Sequence, residues 1–217
     1  MNLQRTLSFL AGILILKVTL GVVAGYDDYF PPDFGSAFLH GRRSYFFGPY
    51  QWAFYAHIVS GPVTLILGLI LISKQFRMRL PMWHRSLGKA QGLLILALLT
   101  PSGLWMAFYA QTGAVAAAGF SALALVTGGC VLFGWRAALQ KRYAEHERWM
   151  WRCFLLLCSA VILRLIGGLV TVSNLEIEWS YPLAAWTSWL VPLGAFELSH
   201  TLHQRIQGSI GSMMVTP

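Results

Sequence analysis

The sequence predicts an all-α fold: a polytopic membrane protein in which six transmembrane helices form one bundle. Of the 217 residues, 56% are hydrophobic and 11% are charged, and the mean hydropathy is +0.58. Soluble domains average about 45–50% apolar and about 25% charged residues, so this composition excludes a water-soluble fold. Six apolar runs are each long enough to cross a hydrocarbon layer, which takes about 20 helical residues. We therefore expect one transmembrane domain over residues 1–217, with no separate soluble domain.

The six predicted spans follow one another along the whole chain. They cover approximately residues 6–25, 51–73, 86–109, 113–135, 149–172 and 181–199. The first contains Lys17 and the fifth contains Arg164, but both are otherwise continuous apolar runs. An alternative for the first is a signal peptide over residues 1–25, with a poor cleavage site at its end. In that case the mature chain begins outside the membrane.

The basic residues predict the orientation, because Lys and Arg are retained on the cytoplasmic side. The third connection is uncharged, the fifth is acidic, and the first carries Asp27, Asp28 and Asp33 beside Arg42 and Arg43. The second and fourth connections are strongly basic and hold Lys74, Arg77, Arg79, Arg85, Arg136, Lys141, Arg142, Arg148 and Arg152. Both termini are therefore predicted to be cytoplasmic.

The same sorting explains the net charge of +8, which collects at one membrane face and does not indicate binding of nucleic acid. We expect a multi-pass membrane protein whose main partner is the lipid bilayer. Aromatic residues are dense at the edges of the spans, as is typical of interfacial belts.

Several site types are excluded by their missing motifs. Cys130, Cys153 and Cys158 all lie in apolar runs without a CxxC pair, so neither a disulfide framework nor a structural zinc site is expected. A phosphate-binding glycine loop, HExxH, a nucleophile elbow and CxxCH are also missing. These absences argue against ATP-driven transport and zinc proteolysis by this chain.

Two polar residues stand out in the outer half of the predicted bundle. His57 lies six residues into the second span, about 9 Å along the helix at 1.5 Å per residue. It shares a helical face with Gly61, Thr64 and Gly68, which predicts either a helix-packing seam or room for a ligand such as a flat cofactor.

Arg164 lies eight residues before the end of the fifth span, at a similar depth. A charge there costs at least about 2.5 kcal/mol on insertion scales and usually faces a partner or a cavity. The predicted partners are a bound anion, a carboxylate of the outer connection or backbone carbonyls. The alternative is that the side chain snorkels outward.

A second group of candidates lies at the inner side. His84 and His146 each stand at the start of a span, with Arg85 and Arg148 beside them. Imidazoles framed by guanidinium groups suit a propionate-bearing heme, a quinone or an anionic reductant. The alternative is that the arginines bind lipid phosphate.

Three sequence blocks resemble a family of bacterial predicted membrane proteins of unknown function. The resemblance covers a core over residues 51–172. The blocks are His57-Ile58-Val59-Ser60-Gly61 with Gly68, then His84-Arg85-Ser86-Leu87-Gly88-Lys89, then His146-Glu147-Arg148-Trp149-Met150-Trp151-Arg152 with Leu163-Arg164. Histidines near opposite membrane faces are also similar, more weakly, to those of diheme transmembrane cytochromes b. That likeness implies hemes held between histidines of two helices.

We therefore expect a membrane redox protein or subunit that uses heme b or a quinone. The candidate cofactor-binding residues are His57, His84, His146, Arg148 and Arg164, and the three histidines are metal ligands only if heme is bound. One alternative is a non-catalytic subunit or assembly factor packed against other membrane subunits. Another is a small-molecule permease with His57 and Arg164 lining its cavity.

Overall fold

The computed structural model of the protein describes residues 3–110, 112–174 and 178–213 and confirms the all-α prediction. Residues 1–2 and 214–217, which include both predicted cytoplasmic termini, lie outside the described residues, as do residues 111 and 175–177 of the third and fifth connections. The helices are α1 (Leu3–Ala24), α2 (Arg43–Phe46), α3 (Pro49–Leu71), α4 (Lys74–Arg79), α5 (Pro81–Leu94), α6 (Thr100–Ala107), α7 (Ala114–Leu139), α8 (Tyr143–Leu157), α9 (Ser159–Val172) and α10 (Ser180–Met213).

Five of the six predicted spans are confirmed as helices of sufficient length and apolarity to cross a membrane. Among the described residues these are Arg5–Asp28, Pro49–Leu71, Pro81–Ala107, Ala114–Leu139 and Tyr143–Val172. The sixth predicted span, residues 181–199, lies within α10. The structure thus supports a membrane protein with several apolar helices in contact with lipid.

Two spans begin earlier than hydropathy predicts. The third span starts at Pro81 and not near residue 86, and the fifth starts at Tyr143 and not near residue 149. Hydropathy misses these first turns because they are amphipathic, with charged and aromatic side chains alternating around the helix. His84 and His146 therefore lie on helices and not in connections.

The third span changes its winding in the middle. Between α5 and α6, residues Ile95–Leu99 form a π-helical segment. Pro101 follows at the start of α6, and a proline cannot donate the backbone hydrogen bond that a continuous α-helix requires. The wider turn lies beside α3, at the level of His57.

Small residues let large side chains fill the centre of the bundle. A Cβ atom added at Gly92 of α5 would lie 2.5 Å from Trp135 Cζ2, and one at Gly134 of α7 would lie 2.4 Å from Met150 Cε. One added at Gly68 would lie 3.0 Å from both Gln91 Nε2 and Phe154 Cδ2. These glycines are therefore packing positions.

The first connection folds over one end of the bundle, and we call residues 25–48 the cap. Phe46 of the cap and Tyr50 and Phe54 of α3 are almost completely buried, with Leu39 beside them. The rings meet mainly edge to face, as in Phe34 against Phe46 with centroids 5.3 Å apart. Since these aromatic side chains pack on one another, this part of the predicted interfacial belt is a small protein core.

The packing predicts a sharp contrast between two glycines on α5. Replacing Gly92 by Leu is expected to lower the melting temperature strongly, because overpacking typically costs 1–3 kcal/mol and the Trp135 ring leaves no space. Gly88→Leu is the matched control, since no atom lies within 4 Å of its added Cβ. Unfolding can be followed with a thiol-reactive dye, because Cys130, Cys153 and Cys158 are all buried and free. Equal melting of the two variants would contradict this packing.

Candidate functional site

A cavity of about 310 Å³ lies at the cap end of the bundle, and we call it the cap cavity. Most of its wall is apolar and comes from α1, α3, α6, α7, α9 and α10 together with the cap. His57 of α3 and Arg164 of α9 both line it, and Arg42 of the cap is a second cation in the wall. None of the described lining residues is Asp or Glu. The two outer-half candidates, found separately in the sequence, thus share one cavity.

The imidazole of His57 is oriented by a short hydrogen-bond chain. Ser102 Oγ lies 3.3 Å from His57 Nδ1 and donates its own proton to the carbonyl oxygen of Leu99 at 3.1 Å. Ser102 therefore accepts from Nδ1, and this assignment leaves the lone pair on His57 Nε2. The ring also packs on Gly103, where an added Cβ would lie 3.4 Å from Cε1.

The face of α3 below His57 contains both the predicted helix-packing seam and the predicted room for a ligand. Gly61 lines the cap cavity. Gly68, two turns further along α3, is closed by Gln91 and Phe154. The side chain of Gln91 also donates to the carbonyl oxygen of Thr64 at 2.9 Å. The helix seam therefore begins below the cavity, and the upper part of the face remains open.

Arg164 turns back along its own helix. Its Nη1 donates to the carbonyl oxygen of Ala160, one turn earlier, at 2.9 Å. This direction leads away from Val172, where the span ends, so the side chain does not extend toward that end. Its other guanidinium N–H groups form no hydrogen bond to the described residues, and Arg164, an exposed residue, lines the cap cavity.

Arg42 is the residue that sequence reasoning missed. It is only 5% exposed, its Nε donates to the carbonyl oxygen of Phe38 at 2.6 Å, and its guanidinium carbon lies 4.4 Å from the Phe38 ring centroid. Its Nη1 lies 3.2–3.3 Å from the hydroxyls of Tyr45 and Tyr50 and from the carbonyl oxygen of Tyr109. These contacts join the cap to α3 and to the end of α6. In the sequence, Arg42 is indistinguishable from an ordinary connection cation.

Tyr29, in the cavity wall, lies within electrostatic range of both Arg164 and Arg42. Burial raises the pKa of the Tyr29 phenol above its ordinary value, and Asp28 adds to this, while Arg164 and Arg42 act in the opposite direction. Two guanidinium groups and the Asp28 carboxylate thus all lie within electrostatic range of this phenol.

Two buried hydroxyl groups of the cavity wall have no hydrogen-bond partner in the described part of the chain. They are Ser188 Oγ of α10, in a residue 1% exposed, and Thr100 Oγ1 of α6. An unsatisfied buried polar group costs about 1–3 kcal/mol, so a polar occupant of the cavity would stabilise both. Neither residue is distinguishable by sequence pattern.

At the opposite, basic end of the bundle, His84 lies on α5 and His146 on α8. His146 Nδ1 donates to the carbonyl oxygen of Gly134 at 2.9 Å, which leaves the Nε2 lone pair. His84 Nδ1 is buried without a partner in the described residues, and His146 lies within its electrostatic range. Arg77 of α4 and Glu147 of α8 form an ion pair with an N–O distance of 3.3 Å.

The neighbouring arginines separate into two kinds. Arg152 makes a two-point ion pair with Glu197 of α10, at 2.5 and 2.9 Å, and stacks on Trp149 with its guanidinium carbon 4.5 Å from the ring centroid. Arg148 instead has a buried Nε without a partner in the described residues. Arg152 therefore ties α8 to α10, and Arg148 retains hydrogen-bonding capacity for a ligand.

The residues present do not fit a heme. The face of α5 that follows His84 carries Gly88 and Gly92, and the indole of Trp135 fills the space at Gly92, which leaves no slot there for a flat macrocycle. The described lining of the cap cavity offers one histidine, His57. No group of three or more His, Cys, Asp or Glu side chains that could hold a metal ion occurs in the described ranges.

A family model of predicted membrane proteins, DUF2306, matches residues 54–199, about two thirds of the chain. The chain belongs to the DUF2306 family. The match extends beyond the predicted core of residues 51–172 into α10, and it includes His57, His84, His146, Arg148 and Arg164. No curated protein and no solved structure matches the chain. The DUF2306 assignment supports an integral membrane protein and specifies no activity.

The contacts of Arg42 predict that a positive charge at position 42 is not sufficient to keep the protein fully stable. Arg42→Lys is expected to destabilise the protein by about 2 kcal/mol, because lysine cannot reproduce the divided hydrogen bonds of a guanidinium group. Arg43→Lys is the control, since Arg43 is exposed. Thermal unfolding of both purified variants measures the difference, and an unchanged melting temperature for Arg42→Lys would refute the structural role of the guanidinium.

Proposed function

We propose that this DUF2306 protein is a membrane redox protein or subunit that binds a quinone-class electron carrier in the cap cavity. The observation that carries the proposal is the meeting of His57 and Arg164 in one largely apolar cavity whose described wall contains no carboxylate. Ligand sites commonly combine an apolar wall with a few polar groups that fix orientation. The cavity has this composition.

The polar groups suit the two oxygens of a quinone. Arg164 and the unpartnered hydroxyls of Ser188 and Thr100 can donate to carbonyl oxygens. The Nε2 lone pair of His57 can accept the proton that a quinol hydroxyl releases on oxidation. The nearby guanidinium charge would stabilise the quinolate that this proton transfer leaves behind.

A quinol loses two protons and two electrons when it is oxidised to the quinone. In this proposal His57 Nε2 takes the first proton, releases it to water and then takes the second, and the two electrons pass to another membrane subunit that acts as the acceptor. The same residues return a proton to the carrier when the reaction runs in reverse. Binding and proton transfer are thus assigned to this chain, and electron acceptance is assigned to its partner.

At the basic end, we assign His84, His146 and Arg148 to a second polar site. The free Nε2 of His146 and the unpartnered Nε of Arg148 support an anionic ligand there. A lipid phosphate and a small anionic reductant share this chemistry. Heme b is the alternative cofactor for these histidines, and the packing of Trp135 disfavours it.

The proposal places the protein in the bacterial inner membrane with six spans. In this topology α10 crosses the bilayer, both termini are cytoplasmic and the cap faces outward. The basic α4 and the turn between α7 and α8 then lie on the cytoplasmic side, as the distribution of Lys and Arg favours.

This orientation predicts the accessibility of single cysteines in a variant whose three native cysteines are replaced. Ser36→Cys in the cap should react with an impermeant thiol reagent in intact spheroplasts. Arg79→Cys and Lys141→Cys should react only after the membrane is opened. The reverse pattern would contradict the orientation, and labelling of all three from outside would contradict the spans.

The quinone proposal predicts that carrier co-purifies with the protein in mild detergent. Organic extraction and an ultraviolet redox difference spectrum should detect it. Arg164→Gln and His57→Gln should each weaken binding by about tenfold or more, since a hydrogen bond to a charged group contributes about 1.5–3 kcal/mol. Arg79→Gln is the matched cation control, because Arg79 is exposed at the other end of the bundle.

Three results would contradict the quinone proposal. A Soret band from the purified protein would favour heme b. Wild-type binding by both variants would remove His57 and Arg164 from the site. Uptake of an organic anion by proteoliposomes, without bound carrier, would favour the permease alternative.

A further inference from the structure

In the wall of the cap cavity, α1 contacts its two neighbouring helices in different ways. Toward α3, the hydroxyl of Tyr26 donates to the carbonyl oxygen of Ile58 at 2.6 Å, and a Cβ added at Gly12 would lie 3.8 Å from Leu69 Cδ1. These contacts hold α1 against α3. The other neighbour of α1 is α9, and there the outer turns of the two helices carry glycines in place of side chains.

Four glycines leave this side open. Gly21 of α1 and Gly25 just beyond it lie near the cap end of the first helix, and Gly167 and Gly168 lie in the last two turns of α9. A Cβ added at any of the four would meet no atom within 4 Å. The space beside them is therefore not filled by protein.

The glycines continue the faces that line the cavity. Gly25 follows Val18 by seven residues and Gly167 follows Ala160 by seven, and Val18 and Ala160 are both cavity-lining residues. Residues seven apart in an α-helix lie on nearly the same face, about 20° from two full turns. Toward the cap end, the cavity-lining faces of α1 and α9 thus carry glycines beside Tyr26 and Arg164.

The cavity itself points to a ligand with a polar head. Ser188 is 1% exposed and its Oγ has no partner in the described residues, although it stands in the cavity wall. Arg164 contributes N–H donors at the same cavity. A volume of about 310 Å³ is at the lower end of the range for small-molecule sites, which leaves no space for a long chain beside a ring.

We propose that the ligand of the cap cavity has a long apolar tail, which leaves the cavity between α1 and α9 into the surrounding lipid. This inference rests on the proposed function and names its ligand class: a quinone that is lipid-soluble because of its chain. Leu20, Leu165 and Leu169 are exposed on the same two helices and would contact the tail and the neighbouring lipid. The carrier therefore enters from the bilayer through what we call the α1–α9 portal.

The test compares two ligands with the same ring. One is a benzoquinone with a ten-carbon alkyl chain, and the other carries a methyl group at that position. Binding to the full-length protein in lipid nanodiscs is followed by quenching of tryptophan fluorescence. Gly167→Phe and Gly21→Phe obstruct the portal from either side, and Gly194→Phe is the control, because it lies on α10 with no atom within 4 Å of an added Cβ. Phenylalanine adds no tryptophan signal.

The portal predicts that Gly167→Phe and Gly21→Phe weaken binding of the long-chain quinone by about tenfold, while the affinity for the methyl quinone stays within about twofold. Gly194→Phe should leave both affinities unchanged. Unaltered long-chain binding in the two portal variants would overturn the portal and leave the proposed function standing. A wild-type protein that binds neither quinone would overturn the proposed function itself. Thermal unfolding with the thiol-reactive dye verifies that each variant is folded. Either portal variant alone is sufficient to test the prediction.

Discussion

Arg164 sets the main physical constraint on this molecule. A guanidinium group within an apolar span costs at least about 2.5 kcal/mol to insert and requires acceptors or a polar cavity. The protein supplies one backbone carbonyl, from Ala160, and opens a cavity on the remaining side. The small residues around that cavity, among them Gly61 and Gly103, keep it from being filled. His57, which lines the same cavity, is oriented by its hydrogen bond with Ser102.

The cavity is built from two parts of the chain, of which one matches the family model and the other precedes the match. His57 and Arg164 lie within residues 54–199, the part that matches the DUF2306 model, whereas α1 and the cap precede it. The cap is held by one buried arginine whose acceptors come from the cap, from α3 and from the end of α6. A helical core thus provides the polar residues, and the preceding segment closes the space over them.

The sequence predicts the bundle well because membrane insertion leaves a strong one-dimensional signal. Five spans, the similar depth of His57 and Arg164, and the two histidine blocks at the basic end all follow from apolar length and position. Depth alone did not establish that His57 and Arg164 share a cavity, since this depends on which helices are neighbours.

Other features depend on contacts between distant parts of the chain, which the hydrophobic periodicity of the sequence does not reveal. The early helix starts at Pro81 and Tyr143 are hidden by amphipathic turns. The burial of Arg42 depends on acceptors up to 67 residues away. The filling of the glycine track by Trp135, which disfavours a heme, requires that α5 pack on α7. The unpartnered hydroxyl of Ser188 is visible only once the cavity is known.

The central claim is that the cap cavity holds the polar head of a ligand between His57 and Arg164. An experimental density map of the protein, purified from its native membrane in lipid nanodiscs, tests this most directly. The account predicts a ring-shaped density in contact with His57 and Arg164, with a tail that emerges between α1 and α9. A cavity filled by protein side chains, with Arg164 extended toward the cap end of α9, would contradict it.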